Sequence, residues 1–173
     1  MPGDGVDLKR GQAFDLDAQL CTRIAQATGL RATTSTLGLI EVLQATGARR
    51  LGLVSPYTES YQKKILATFA REGFPIVAHA CSGLADNLSY ASVAAADIRR
   101  MTHEVAAAKP DAIIAWCTNL MAAPLAAELE AETGIAFYDS TALAVWHPLQ
   151  LLGCDVSCAA AWGSLFSGRA PKA

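Results

Sequence analysis

The chain has 173 residues, with 14 lysines and arginines against 16 aspartates and glutamates, a formal net charge of −2 and 52% hydrophobic residues. This composition excludes an intrinsically disordered chain, which would be poor in apolar residues, and a protein that holds nucleic acid mainly by charge, because there is no basic excess. The length alone allows one sizeable core and predicts about one domain.

The first part of the chain carries two helical patterns. Apolar residues recur with helical period over residues 15–28, and Asp15 is the candidate N-cap. A second pattern covers residues 37–43 and follows the cap residues Ser35 and Thr36. A glycine ends each pattern, as is common at a helix C-terminus.

A strand-and-helix unit then repeats through the rest of the chain. Apolar runs that suit strands cover residues 49–57, 74–80, 111–117 and 135–139. Helical patterns follow them over residues 58–72, 89–109, 122–133 and 141–152. Strands joined by helices of this length imply crossover connections and parallel pairing. The predicted fold class is therefore α/β, a three-layer Rossmann-like parallel sheet.

Neither a membrane span nor a secretion signal is visible in the sequence. The longest uncharged stretch, residues 112–127, has 16 residues, which is fewer than the ~20 that a spanning helix needs. The first residues, MPGDGVDLKR, lack the basic-then-apolar order of a signal peptide. We therefore expect a cytoplasmic protein.

The five cysteines form an odd set without a CxxC pair. They are Cys21, Cys81, Cys117, Cys154 and Cys158. A disulfide scaffold or a zinc site is not expected from this set, and most of these thiols are expected to be small buried side chains. No His/Cys/Asp cluster has metal-ligand spacing and no glycine-rich phosphate loop follows a strand, so we expect no metal and no nucleotide cofactor.

Polar loops at strand ends are the candidate sites, because ligands bind beyond the carboxyl ends of parallel strands. Three such loops cover residues 55–58, 82–87 and 117–120. In the third, Cys117 ends a strand and the amides of residues 118–120 are expected to open the next helix. A helix N-terminus lowers a thiol pKa from ~8.5 and can hold a carboxylate. The alternative interpretation of Cys117 is a buried cysteine with a packing role only.

Five motifs in chain order resemble the Asp/Glu racemase superfamily, in the branch of the maleate cis-trans isomerases and arylmalonate decarboxylases. They are ATGLRATTSTLGLIEVLQATGARRLGLVSPYTE (residues 27–59), GLADNL (83–88), AWCTNL (115–120), VWHPLQLLG (145–153) and AWGSLF (161–166). The resemblance implies two Rossmann-like lobes related by pseudo-twofold symmetry, with a cofactor-free active site in the cleft between them. On this basis the chain is one complete lobe plus part of a second. Residues 1–47 are a remnant of the first lobe, residues 48–153 the complete second lobe, and residues 154–173 a tail that returns toward the first.

The resemblance also implies roles for individual residues. Cys117 corresponds to the catalytic cysteine of the second lobe. Tyr57 corresponds to a tyrosine that binds a substrate carboxylate, and Asn87 to an asparagine with the same purpose in maleate isomerases. Thr118 and Asn119 complete the carboxylate pocket through their backbone amides.

The first-lobe cysteine of this branch is missing. Its position falls around Gly3, Asp4 and Gly5, which we include among the substrate-binding candidates. Glycine at this position is what the decarboxylases carry. Cys21 lies inside a predicted helix and cannot substitute for the missing thiol. The chain is therefore either a fragment or a protein with glycine at the first position.

The function expected from these residues is a cofactor-independent, cysteine-dependent isomerase of a small dicarboxylate, of the maleate-to-fumarate type. An arylmalonate-type decarboxylase with Cys117 as the proton donor ranks second, because Thr118 and Asn119 stand where the decarboxylases have glycines. An amino-acid racemase and, from another class, an inactive truncated binding fragment are further alternatives. We expect a small carboxylate as the partner and neither nucleic acid nor membrane. A homo-oligomer is left open.

Overall fold

The fold is a parallel sheet between two layers of helices. The computed structural model describes residues 12–167. The strands are β1 (Leu51–Tyr57), β2 (Ile76–Leu84), β3 (Ala112–Ala115) and β4 (Ala136–Asp139), all parallel and in the order β2-β1-β3-β4. The helices are α1 (Gln12–Thr28), α2 (Ser35–Thr46), α3 (Glu59–Arg71), α4 (Asn87–Tyr90), α5 (Ala95–Ala106), α6 (Ala126–Thr133) and α7 (Ser140–Leu151). The predicted α/β class is confirmed.

Side chains of the central strands alternate between the two faces of the sheet, so both faces carry a core. Leu53 and Ile114 pack on one face with α2, α3 and α7, whereas Val54 and Ile113 pack on the other with α5 and α6. All four side chains are fully buried. Burial on both faces explains why these strands read as continuous apolar runs rather than alternating patterns.

The residues predicted to cap the first two helices do not act as their caps. Thr34 caps α2, since its side-chain oxygen accepts a hydrogen bond from the Leu37 amide at 3.2 Å. Ser35 and Thr36 lie inside the helix, so their assignment as caps was wrong. The first helix already includes Gln12, which places Asp15 within its first turn rather than at an N-cap.

The single helix predicted over residues 89–109 is also wrong. The chain forms α4, then a turn at residues 91–94, and then α5. Serine hydroxyls that bond to nearby carbonyls compete with helix continuation, and the Ser92 hydroxyl donates to the Ser89 carbonyl at 2.7 Å. The break lets Tyr90 and Val93 turn toward the core on the α5 side.

The segments before and after the strand-and-helix series share its core. Leu39, Val42 and Leu43 of α2 are buried with the sheet, and so are Leu165 and Phe166 near the end of the described chain. The division at residues 47/48 and 153/154 into parts of two lobes stays a prediction. Gly3, Asp4 and Gly5, with the candidate first-lobe position, lie outside the described residues.

Helices α2 and α7 approach each other closely at Gly38. A Cβ atom there would lie 2.9 Å from the Cβ of His147 and 3.3 Å from the Leu143 carbonyl oxygen. We expect Gly38→Ala to lower the free energy of unfolding by about 1 kcal/mol, because an overpacking cost of about 1–3 kcal/mol exceeds the gain of about 1 kcal/mol in helix propensity. Thermal unfolding measures this change, and Gln44→Ala at an exposed position of the same helix is the control. A Gly38→Ala protein as stable as the parent would contradict the close packing of the two helices.

Candidate active site

The predicted site residues come together at the carboxyl edge of the sheet. Tyr57 is the last residue of β1, and Cys117 follows β3 by two residues. Asn87 is the first residue of α4, shortly after β2. Since β1 lies between β2 and β3 in the sheet, the ends of these three strands are neighbours. The sheet topology therefore places residues from three separate loops in one cluster.

Tyr57 and Cys117 interact directly through their side chains. Burial raises the pKa of the Tyr57 hydroxyl above its ordinary value, and hydrogen bonding with Cys117 raises it further. Cys117 is 7% exposed. A tyrosine with a raised pKa stays neutral at physiological pH, so the Tyr57 hydroxyl keeps its proton as a hydrogen-bond donor toward the sulfur or a bound anion.

Two further tyrosines hold the ring of Tyr57. Tyr61 of α3 lies edge-on with ring centroids 4.8 Å apart, and Tyr90 of α4 lies edge-on at 5.3 Å. Edge-to-face pairs at these distances are favourable and fix ring orientation. Neither tyrosine was predicted from the sequence as part of the site. The position of Tyr61 in the predicted helix, one turn after Tyr57, indicates that the two rings are neighbours.

Asn87 and Asn119 are joined by their side chains. The Asn119 amide nitrogen Nδ2 donates to Oδ1 of Asn87 at 2.9 Å. This bond leaves the Nδ2 group of Asn87 as a donor, and it donates to no acceptor among residues 12–167. Asn119 was predicted to act through its backbone amide only, so the side-chain pair was not predicted.

The helix expected to begin directly after Cys117 begins later. Residues 118–122 form turns, Ala123–Leu125 is a short 3-10 helix and α6 starts at Ala126. The amide of Leu120 closes the first turn by donating to the Cys117 carbonyl at 3.1 Å. The prediction that Cys117 lies at a helix N-terminus was therefore wrong. Within the described chain the amides of Thr118 and Asn119 still donate to no acceptor, and their role in binding a carboxylate stays a prediction.

The first turn of α7 holds the Cys117 loop in place. The Ser140 hydroxyl donates to the Ala115 carbonyl at 3.0 Å, and the Thr141 hydroxyl donates to the Thr118 carbonyl at 3.1 Å. These two hydrogen bonds fix the backbone on both sides of Cys117. Neither hydroxyl was predicted from the sequence, although the polar triplet of residues 139–141 at the end of a buried strand indicates such a role.

Asp139 caps α7 beside this loop. One carboxylate oxygen, Oδ1, accepts hydrogen bonds from the amides of Thr141 and Ala142 at 2.8 and 2.9 Å. The other oxygen, Oδ2, is buried and has no hydrogen-bond partner within residues 12–167. Burial raises the pKa of Asp139 to about 6, against the opposing effect of the two amides.

A cavity of about 280 Å³ opens beside the tyrosines and the Cys117 loop. Tyr61 and Trp116 line it together with Phe14 and Phe69, and Lys64 contributes a cationic group. The Trp116 ring is fixed by an edge contact to Phe69 with centroids 5.4 Å apart. Asp17 adds a carboxylate to the lining, so this cavity offers apolar walls and one charge of each sign next to the loop that carries the thiol.

Neither a metal centre nor a membrane span is visible in the described part of the chain. No three His, Cys, Asp or Glu side chains among residues 12–167 are grouped so that they could hold a metal ion. Over the same residues no helix combines the length and apolar character needed to cross a bilayer.

Comparisons with known proteins agree on one group of enzymes. The arylmalonate decarboxylase family matches residues 2–166. The arylmalonate decarboxylase of Bordetella bronchiseptica is 26% identical over 166 residues, which cover 95% of this chain and 68% of that protein. The maleate isomerase of Nocardia farcinica is 24% identical over 149 residues, which cover 85% of this chain and 59% of that protein.

Solved structures of such enzymes share the fold. The maleate isomerase Iso of Pseudomonas putida S16 superposes with a TM-score of 0.80 at 20% identity, covering 92% of this chain and 64% of that one. The maleate cis-trans isomerase of Nocardia farcinica, in a structure with a covalently bound succinylcysteine intermediate, gives a TM-score of 0.73 at 24% identity, covering 82% of this chain and 60% of that one. The chain thus spans between 59% and 68% of the length of these relatives.

Proposed function

Because this chain belongs to the arylmalonate decarboxylase family, we propose that it is a cofactor-independent enzyme in which Cys117 acts on a small dicarboxylate, as an isomerase of the maleate-to-fumarate type. The observation that carries the proposal is the proximity of Cys117 and Tyr57, which pack in the same core cluster at the carboxyl edge of the sheet. It joins a nucleophile to a neutral hydrogen-bond donor. The Asn87–Asn119 pair lies in the neighbouring loops and supplies further donors.

The proposed reaction uses Cys117 as a nucleophile. Its thiolate adds to one carbon of the double bond, and the displaced electron pair moves into the adjacent carboxylate as an enediolate. Tyr57 and the Asn87 amide donate hydrogen bonds to the developing charge. A proton from solvent adds to the enediolate carbon and gives a succinyl-like adduct, whose central bond is single and can rotate, and the same proton returns to solvent in the next step. Loss of the same proton and cleavage of the carbon–sulfur bond release the trans acid and restore the thiolate.

The isomerase has support from two directions. The Nocardia farcinica relative is a maleate isomerase, and one of its structures holds a succinylcysteine intermediate. In this chain, Asn119 of the thiol loop is hydrogen-bonded to Asn87 of α4, and amide donors suit a carboxylate of the substrate.

A decarboxylase is the second candidate, favoured by the family description and by the Bordetella bronchiseptica relative. In that reaction a carboxylate leaves as CO2 and its bonding electrons form an enediolate. The Cys117 thiol then donates a proton to the carbon, and solvent returns a proton to the thiolate. Tyr57 and the tyrosines around it would bind the remaining carboxylate and the aryl group.

Product analysis with two substrates tests the proposal. Purified protein is incubated with maleate and, separately, with phenylmalonate, and proton NMR follows fumarate and phenylacetate. Fumarate formation supports the isomerase, whereas phenylacetate and CO2 would replace it by the decarboxylase. If neither product forms, while the protein and its Cys117→Ser variant bind maleate equally, the chain is a binding fragment and the enzyme proposal fails.

The asparagine pair is expected to act in substrate binding. Asn119→Ala removes the hydrogen bond that orients Asn87, so we expect KM for the productive substrate to rise about 10-fold, the effect of about 1.4 kcal/mol in binding, with a smaller change in kcat. Steady-state kinetics measures both parameters. Gln44→Ala, on the exposed surface of α2, is the matched amide control. An unchanged KM in Asn119→Ala would show that the pair does not contact the substrate.

A further inference from the structure

A second hydrogen-bonded constellation joins α2, α7 and the segment before α2. His147 is buried, with 5% of its surface exposed. Its ring nitrogen Nδ1 lies 2.6 Å from the hydroxyl oxygen of Thr33, and Nε2 lies 2.7 Å from a carboxylate oxygen of Glu41. None of these three residues belongs to the cluster around Cys117.

The proton positions follow from the chemistry of the partners. A carboxylate only accepts hydrogen bonds, so Nε2 of His147 carries a proton and donates it to Glu41. In the neutral ring Nδ1 is then the acceptor, and the Thr33 hydroxyl donates to it. A hydroxyl that donates to an imidazole, which is itself oriented by a carboxylate, is the arrangement that activates an oxygen nucleophile.

Packing between the two helices does not require this polar group. The second carboxylate oxygen of Glu41, Oε1, is buried without a hydrogen-bond partner in the described part of the chain. A buried polar atom without a partner destabilises the fold, whereas apolar side chains of similar volume would pack between the same helices without that cost. The close approach at Gly38 brings α2 against the backbone and Cβ of α7 at His147.

Thr33 also lines a cavity beside this constellation. The cavity has a volume of about 260 Å³. Ala144, Pro148 and Leu151 of α7 form an apolar wall, and Arg31 contributes a guanidinium group. Arg31 makes no hydrogen bond or ion pair to any residue from 12 to 167, so it is available to an anionic oxygen. The cavity is smaller than the roughly 300–1,000 Å³ of pockets that hold drug-sized ligands, so it suits a substrate with few atoms.

The geometry points to a second, hydrolytic site in which Thr33 is the nucleophile, His147 the general base and Glu41 a positioning residue, with small carboxylic esters as the substrate class. The Thr33 oxygen attacks the ester carbonyl carbon and its proton passes to Nδ1 of His147. The carbon–oxygen bond to the alcohol breaks, and the leaving oxygen takes that proton. Water then attacks the acyl-threonine, His147 accepts a proton from the water, and the Thr33 oxygen recovers it as the carboxylic acid is released. Arg31 stabilises the oxyanion in both steps.

Hydrolysis of p-nitrophenyl acetate tests this site. Since thiols also react with this ester, the parent for the assay carries Cys81→Ser, Cys117→Ser, Cys154→Ser and Cys158→Ser, which leaves the buried Cys21. We expect an early burst of p-nitrophenol and an acetyl group on Thr33 in peptide mass spectra. Thr33→Val, which keeps the shape of the side chain, should lower the rate by about 100-fold or more.

Two controls separate catalysis from structure. Thr22→Val changes the same residue type on the exposed surface of α1 and should leave the rate unchanged. Glu41→Gln should lower kcat about 10-fold or more with little change in KM, which a packing defect alone would not produce. Thermal unfolding of each variant checks that it is folded. A parent protein without activity, an acetyl group found only on cysteine, or a folded Thr33→Val protein with the parental rate would each overturn the proposal.

Discussion

Replacing Cys117 with serine should lower turnover of the productive substrate by about 1,000-fold or more, because a hydroxyl is a far weaker nucleophile and acid than a thiol. The two side chains differ little in size, and serine can keep a hydrogen bond with Tyr57. We therefore expect the free energy of unfolding to change by no more than about 1 kcal/mol, so that lost activity reports lost chemistry rather than lost folding.

Two measurements distinguish this result from a general effect of thiol removal. Cys154→Ser replaces an exposed cysteine after α7 and should retain parental kcat and KM. Iodoacetamide with peptide mapping should label Cys117 faster in the free protein than in the presence of substrate. A Cys117→Ser protein with more than a tenth of the parental activity would place the chemistry on another residue.

The free energy of unfolding is expected to depend on pH through the buried carboxyl group of Asp139. The pKa of Asp139 is raised by burial to about 6, against 3.8 for an ordinary aspartate. Between these pH values the folded chain binds a proton that the unfolded chain has released. The contribution of Asp139 to stability is therefore fully present below pH 4 and is lost as the pH rises through about 6. A difference of this size corresponds to about 3 kcal/mol between the two limits.

The Asp139→Asn variant removes this dependence. Its Oδ1 can still accept the amides of Thr141 and Ala142, so the cap of α7 is retained. Urea unfolding at pH 4, 5, 6 and 7 should show the parent losing about 2 kcal/mol relative to the variant across this range, because part of the effect is already lost at pH 4. The comparison uses the change with pH, so a constant offset from the buried amide does not enter.

Asp111 provides a control, because its contribution to stability changes with pH in the opposite direction. Its carboxylate accepts hydrogen bonds from the amides of Arg50 and Arg49, and these bonds hold its pKa below the ordinary value. Its contribution to stability is therefore present above the ordinary pKa and is lost as the pH falls. Asp111→Asn should reduce the loss of stability in acid, and parallel curves for Asp139→Asn and the parent would contradict the assignment of Asp139.

The sheet and the main site residues could be predicted because they depend on regular patterns. Ile113 and Ile114 are adjacent, β-branched and both buried, as is typical of a short strand covered on both faces. Tyr57 and Cys117 follow such strands, and parallel strands end at one edge. Their proximity therefore followed from topology without knowledge of any side-chain contact.

The local geometry around these residues could not be predicted in the same way. Periodicity continues through residues 89–109, although the Ser92 hydroxyl helps to end α4 there. The late start of α6 depends on the turns that follow Cys117. The Thr141 hydroxyl reaches the Thr118 carbonyl, and the Asn119 side chain reaches Asn87, across 23 and 32 residues of sequence. Contacts at such separations depend on tertiary packing, which single-residue patterns do not encode.

The strand order β2-β1-β3-β4 has a consequence for evolution of this chain's chemistry. The connection after β1 leads to α3 on one face of the sheet, and the connection after β3 leads to α6 on the other face. Because the two loops leave the sheet toward opposite faces, a crevice is expected between the ends of β1 and β3. Ligands of open parallel sheets bind at such a point, where the direction of the connections reverses. The crevice is a product of chain direction rather than of any side chain. Under the proposed function, a substitution of Cys117 is therefore expected to change the chemistry without moving the place of binding, because that place depends on the strand order.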